Sequence, residues 1–128
     1  MAKGIVALAV VVVALSASGA AGSRSTHRAG CPSATFPLSG INPIGPAVAA
    51  ALRRVPNDQK PQVRGATLAI ADTLRGPQVR TQCGKIVASR TIVVYILRRA
   101  YLPAQSASQG VFFVSRFANG YRVWQVAH

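Results

Sequence analysis

The spacing of apolar positions changes several times along this chain, and each change predicts a different element. An unbroken apolar run from Ile5 to Leu15 follows Lys3 and gives way to small residues through Gly22. It is shorter than the roughly 20 residues a membrane-spanning helix requires, and Ser18-Gly19-Ala20 supplies the small side chains that signal peptidase reads, so residues 1–20 are expected to be a secretory signal peptide. Further on, Val48, Ala51, Leu52 and Val55 recur at i, i+3, i+4 and i+7 behind Pro46, which predicts a short amphipathic helix that stops at Pro56. Arg53 and Arg54 fall on its outer side. Between Val63 and Ala71 the period drops to two, with Ala66, Leu68 and Ile70 alternating with smaller residues, and a strand is expected that Gly76-Pro77 closes off.

After Cys83-Gly84 comes the longest β signal, in which Ile86, Val87 and the run Thr91 to Leu97 are nearly all β-branched, aromatic or large aliphatic. This predicts a central strand with one face covered and the other partly wet, interrupted at Arg90 and ended by Arg98-Arg99. Val111 to Ala118 predicts another strand, and Asn119-Gly120 a two-residue type I′ turn. That turn sets Phe113 opposite Val126, Ser115 opposite Trp124 and Phe117 opposite Arg122, so that Val111, Phe113, Trp124 and Val126 share a core face. The opposite face carries Phe112, Val114, Arg116, Tyr121, Val123 and Gln125 and is expected to be half exposed.

Residues 21–45 are rich in Ser, Gly, Pro and Ala and have no sustained period, so they read as a flexible lead-in to a single domain over 46–128. The predicted class is α+β, with one short N-terminal helix packed on a curled four-stranded antiparallel sheet that ends in the Asn-Gly hairpin. From Pro46 onward this element order, closing in Gly120-Tyr121-Arg122-Val123-Trp124, resembles cystatin-like and NTF2-like folds. The chain lacks the Gln-Val-Val-x-Gly wedge of the secreted cystatin inhibitors, so the resemblance does not carry protease inhibition with it. Ser106 to Val114 resembles a stretch of small secreted proteins of unknown function from high-GC bacteria, a likeness that implies no activity.

Charge changes the picture more than length does. Fifteen Lys and Arg stand against two acids, Asp58 and Asp72, giving a formal net charge of +13. Such a field attracts anionic polymers or membrane surfaces with salt-dependent affinity. Nucleic acid is a possible partner through charge alone, because no recognition motif appears. The candidate anion-binding residues are Arg90, Arg98, Arg99, Arg116 and Arg122, with Phe112, Tyr121 and Arg116 on the wetter face of the hairpin, where rings and cations together make a stacking surface.

Cys31 and Cys83 are the only cysteines, and in an exported chain the pair is expected to form one disulfide. A metal centre would want four Cys or His ligands and a thioredoxin-type centre Cys-x-x-Cys, so neither a metal nor a cofactor is expected, even with His27 four residues before Cys31. Acid–base chemistry is poorly provided for. Asp58 follows the helix, Asp72 closes the first strand, His27 lies in the lead-in and His128 ends the chain, so no catalytic residue is assigned. Gly40 to Gly45 lacks the Lys-Ser/Thr ending of a phosphate loop.

These features together suggest a secreted or cell-envelope protein with no transmembrane segment after leader removal. Its expected role is a non-enzymatic basic domain bound to anionic surfaces. The rival readings are an NTF2-like small-molecule pocket between helix and sheet, with weak catalysis, and a protein-interaction module presenting a strand edge or the Pro-rich lead-in.

Overall fold

The computed structural model describes residues 30–38, 40, 42–102, 105 and 108–128; the leader at 1–20, His27 and part of the Pro/Ser/Gln loop near 106 lie outside the described residues. The first helix, α1, spans Ile44–Leu52. It begins two residues before Pro46, where Asn42 Oδ1 accepts the Ile44 N–H at 3.1 Å, so that Pro46 sits inside the first turn and its missing donor leaves nothing unpaired. A 3-10 turn, Asn57–Gln59, leads into β1, Pro61–Leu68. A second helix, α2, spans Gly76–Ser89 and is followed by β2, Thr91–Arg98, then β3, Gln109–Phe117, and β4, Gly120–Ala127. The four strands form one antiparallel sheet in the order β1-β2-β3-β4. The α+β class, with a helix on a four-stranded antiparallel sheet that does not close, is therefore as expected.

Each face of the sheet has its own core. On one, Ala47, Ala50 and Ala51 of α1 and Val55 pack with Ile92, Val94, Ile96, Phe112 and Val114. Alanine at three core positions lets the helix lie close to the strands, and larger Val48 and Leu52 fill its flanks. On the other, Val79 and Ala88 of α2 pack with Ala69, Val93, Val111 and Phe113, flanked by Tyr95 and Trp124. Polar groups within this second core are satisfied in a chain: Thr91 Oγ1 donates to the Val87 carbonyl at 2.7 Å and lies 3.0 Å from Ser115 Oγ, which accepts Trp124 Nε1–H at 2.9 Å.

The second helix corrects the sequence reading. Ile86 and Val87, assigned to the central strand, lie in α2, with Ile86 exposed; Arg90 caps that helix and does not interrupt a strand. Pro77 is a helix starter here, because Asp72 Oδ2 accepts the N–H groups of Arg75 (2.6 Å) and Gly76 (3.0 Å) just ahead of it. Gly76 is also required for space, since a Cβ there would overlap the Ala69 carbonyl. At Gly84 (φ 90°, ψ 171°) the helix kinks, a conformation that suits glycine. The first strand ends at Leu68, before the expected Ala71, and Ile70 turns outward.

The hairpin register differs as well. Lys60 is the only described non-glycine residue with positive φ, so Asn119 cannot occupy the first central position of a type I′ turn; Gly120 alone takes the positive value, at 111°. The strands consequently pair Phe117 with Gly120, Ser115 with Arg122 and Phe113 with Gln125, rather than with Arg122, Trp124 and Val126. A bulge at Trp124 keeps its indole stacked on Phe113, with centroids 5.4 Å apart, while Val123 and Val126 both turn toward α1. Val126 thus leaves the face expected for it, and the face of Phe112 and Val114 is covered by α1 instead of half exposed.

Residues 30–38, read as part of the lead-in, are fastened to this body. Cys31 is joined to Cys83 of α2 by a disulfide. Phe36 N–H donates to the Arg116 carbonyl at 2.8 Å, filling the position beside β3 that lies beyond the start of β2. Replacing both Cys31 and Cys83 by Ser is expected to lower unfolding free energy by about 4 kcal/mol on the loop-closure estimate for a separation of 52 residues, read from urea unfolding under oxidising conditions.

Candidate functional site

The arginines singled out from the sequence do not form one patch. Because β2 and β3 run antiparallel, Arg98 and Arg99 lie at one end of the sheet, while Arg90, Arg116 and Arg122 lie at the other. Arg90 and Arg116 are half-buried and hold the N-terminal arm: Arg90 Nη1 donates to the Thr35 carbonyl at 2.7 Å, and Arg116 Nη1 to the Pro37 carbonyl at 3.2 Å. The Arg116 guanidinium also sits 5.9 Å from the centre of the Phe36 ring. Arg98 is half-buried over Phe112, 5.8 Å from its centroid. Phe112 is 1% exposed and cannot meet a partner, which corrects its assignment to a wet face; Tyr121 packs at the margin of the α1 core. Arg99 and Arg122 are the two arginines of that set left exposed.

Arg99 belongs to a denser group. Its N–H and Nε both donate to the Lys60 carbonyl, at 3.2 and 3.3 Å, and Ala100 N–H bonds the Gln59 carbonyl. These bonds clamp the end of β2 to the segment that leaves α1. Arg53 and Arg54 just past α1, Lys60 just before β1 and Arg99 just past β2 are all exposed along these joined segments, with Asp58 the one acid among them. Lys60 reaches its place through a left-handed backbone (φ 51°), which costs a non-glycine residue about 1 kcal/mol. Sequence reasoning passed over Lys60 because only the hydrogen bonds to Arg99 bring it beside β2.

A second site lies on the α2 face. Near the N-terminus of α2 a cleft of about 730 Å³ opens between Leu74 and Arg75 on one side and the adjoining ends of β1, β2 and β3 on the other, lined also by Arg64, Tyr95, Leu97, Val111 and His128. Arg64 reaches it because β1 bulges between Val63 and Gly65, giving a two-against-one pairing with β2. Arg75 is held from two sides, Nη1 donating to Gln78 Oε1 at 3.2 Å and Nη2 to the His128 main-chain oxygen at 2.9 Å. Below it, Asp72 Oδ2 accepts the Tyr95 hydroxyl at 2.8 Å in addition to the Arg75 and Gly76 amides. Asp72 was expected to close a strand; its side chain instead holds the start of a helix the sequence did not reveal.

Burial, the hydrogen bond to Asp72 and that carboxylate's negative charge push the Tyr95 hydroxyl well above the ordinary tyrosine range. The described residues contain no cluster of three or more His, Cys, Asp or Glu able to hold a metal ion, and no helix among them is long and apolar enough to cross a membrane. The chain matches no family model, no curated protein and no solved structure.

The Tyr95–Asp72 bond gives a signed pH dependence. An unfolded tyrosine releases its proton near pH 10, whereas folded Tyr95 retains it to higher pH, so this contribution is fully present below about pH 10 and is lost as pH rises toward the folded value. Between about pH 9 and about pH 11.5, stability from chemical denaturation should fall more steeply for the unsubstituted chain than for Tyr95→Phe. Equal slopes would show that Tyr95 ionises as freely in the fold as outside it. Near neutrality the variant should be less stable by about 1–3 kcal/mol, the usual worth of a hydrogen bond to a charged group.

Proposed function

We propose that this protein is a secreted, strongly basic, non-enzymatic domain that binds anionic surfaces of the cell envelope or its surroundings. The supporting observation is the exposed group Arg53, Arg54, Lys60 and Arg99, carried on segments that the Arg99–Lys60 bonds join and that hold a single acid, in a chain with 15 Lys and Arg against two acids. Four like charges gathered with only Asp58 to offset them repel one another in the free protein. An anionic surface relieves that repulsion, contributing about 1 kcal/mol for each basic residue it meets.

The disulfide and the export leader read from the sequence both fit an oxidising compartment outside the cytosol. The rival pocket between α1 and the sheet is disfavoured, since alanines of α1 rest against Ile92, Val94, Ile96, Phe112 and Val114 and the space is filled by side chains.

Sedimentation with vesicles containing about one-third anionic lipid, and with anionic wall polymer, tests the reading at low and high salt. Retention is expected at low salt and release at high salt. The triple variant Arg53→Gln/Arg54→Gln/Arg99→Gln should weaken binding by about 100-fold, whereas Arg122→Gln, at the other end of the sheet, should change it little. Retention that is absent, indifferent to salt, or unchanged in the triple variant would remove the proposal.

A further inference from the structure

The cleft beside α2 differs in kind from the cationic surface. Its volume, about 730 Å³, falls in the range of small-molecule sites, roughly 300–1,000 Å³. Its walls combine two chemistries. Leu74, Leu97 and Val111 supply an apolar lining, while Arg64 and Arg75 supply two guanidinium groups with no acidic side chain among the lining residues.

The nearby carboxylate offers no hydrogen bond to either guanidinium group; its role is structural. Asp72 Oδ2 already accepts three hydrogen bonds, from the Arg75 and Gly76 amides and from Tyr95, and is thereby committed to holding α2 in place. The two cations are also unequal in a useful way. Arg75 is half-buried and fixed by Gln78 and His128, with two of its five guanidinium donors used in those bonds, so others remain for a ligand. Arg64 is exposed, and it stands at the cleft because one extra residue in β1 turns it there. A bulge in an edge strand weakens pairing locally; here it adds an exposed cation opposite a fixed one.

From this arrangement we infer that the cleft binds a single-chain amphiphile, an acyl or alkyl body bearing a carboxylate or phosphate head. The planar fork of Arg75, with Arg64 closing from the other wall, receives the head through charge-assisted hydrogen bonds. Leu74, Leu97 and Val111 receive the apolar body, which recovers the transfer free energy of each methylene taken out of water. Leu74 is 77% exposed, and contact with the ligand body gives that side chain an apolar neighbour. A small inorganic anion would leave the apolar wall uncovered. A neutral chain would leave the remaining guanidinium donors of Arg75 and those of Arg64 without an acceptor.

The inference stands apart from the proposed surface binding, and the experiment separates them. Isothermal titration and amide chemical-shift mapping of the folded, disulfide-bonded protein are carried out with monomeric dodecanoate, dodecyl phosphate, dodecanol and acetate. Saturable one-to-one binding is expected for the first two, with shifts at Arg64, Leu74, Arg75 and Val111, and binding at least about tenfold weaker for dodecanol and acetate. Arg64→Gln and Leu74→Ser, both at exposed positions where folding is little affected, should each weaken dodecanoate by about tenfold while leaving vesicle retention unchanged. Equal affinity for dodecanol, unchanged affinity in Arg64→Gln, or shifts confined to Arg53, Arg54 and Arg99 would overturn the inference. The last result would assign the amphiphile to the cationic surface and leave the surface-binding proposal intact.

Discussion

A strand that is apolar on both faces must be covered twice, and β2 sets that requirement for the whole molecule. Ile92, Val93 and Val94 are consecutive, so their side chains alternate between the two faces, yet each is fully buried. Burial of that kind needs a layer on either side, and the short chain provides one helix for each. α1 arrives ahead of the sheet with an alanine-lined side, while α2 is inserted between β1 and β2 and lies on the opposite face. The caps, the kink at Gly84, and the disulfide that links α2 to the arm are all arrangements for holding this second layer in place.

The same requirement explains what could be read from the sequence. The apolar run Thr91 to Leu97, the i, i+3, i+4 pattern of α1 and the cysteine pair were legible because each is a local pattern with one strong physical meaning. α2 was hidden for the opposite reason. Its apolar positions Val79, Cys83 and Val87 follow helical spacing, but they are few, they are separated by polar residues, and Gly76-Pro77 and Gly84 look like breaks. Only the side chain of Asp72, which supplies acceptors for the first turn, turns that apparent break into a helix start. The strand register was lost at Gly120 and Trp124, because turn type and bulge position are fixed by tertiary contacts such as the Phe113–Trp124 stack and the Ser115 hydrogen bond.

Charge was legible as a total but not as a distribution. Fifteen basic residues in a small chain cannot all do the same thing, and the fold divides them. Arg90 and Arg116 satisfy main-chain carbonyls of the arm, Arg98 lies over a buried ring, and Arg75 braces the cleft, while Arg53, Arg54, Lys60 and Arg99 remain open to solvent. The candidate cleft could not have been drawn from the sequence at all, since it depends on a bulge that brings Arg64 beside Leu74 and Arg75 just ahead of α2, residues of β2 and β3, and His128 just past β4.

The arm's position beside β3 has one more consequence. β2 begins at Thr91, opposite Ser115, so the backbone of Arg116 would present an open carbonyl to any passing strand if Phe36 did not take it. Both true edges of the sheet, β1 and β4, carry bulges that spoil flat pairing, whereas this inner gap is guarded by a segment tethered through sulfur. In a reducing environment that tether opens, and the guard rests on a few hydrogen bonds and one ring contact. The disulfide therefore does more than stabilise the monomer: it holds the arm over this gap, the one inner place in the sheet where a foreign strand could otherwise pair.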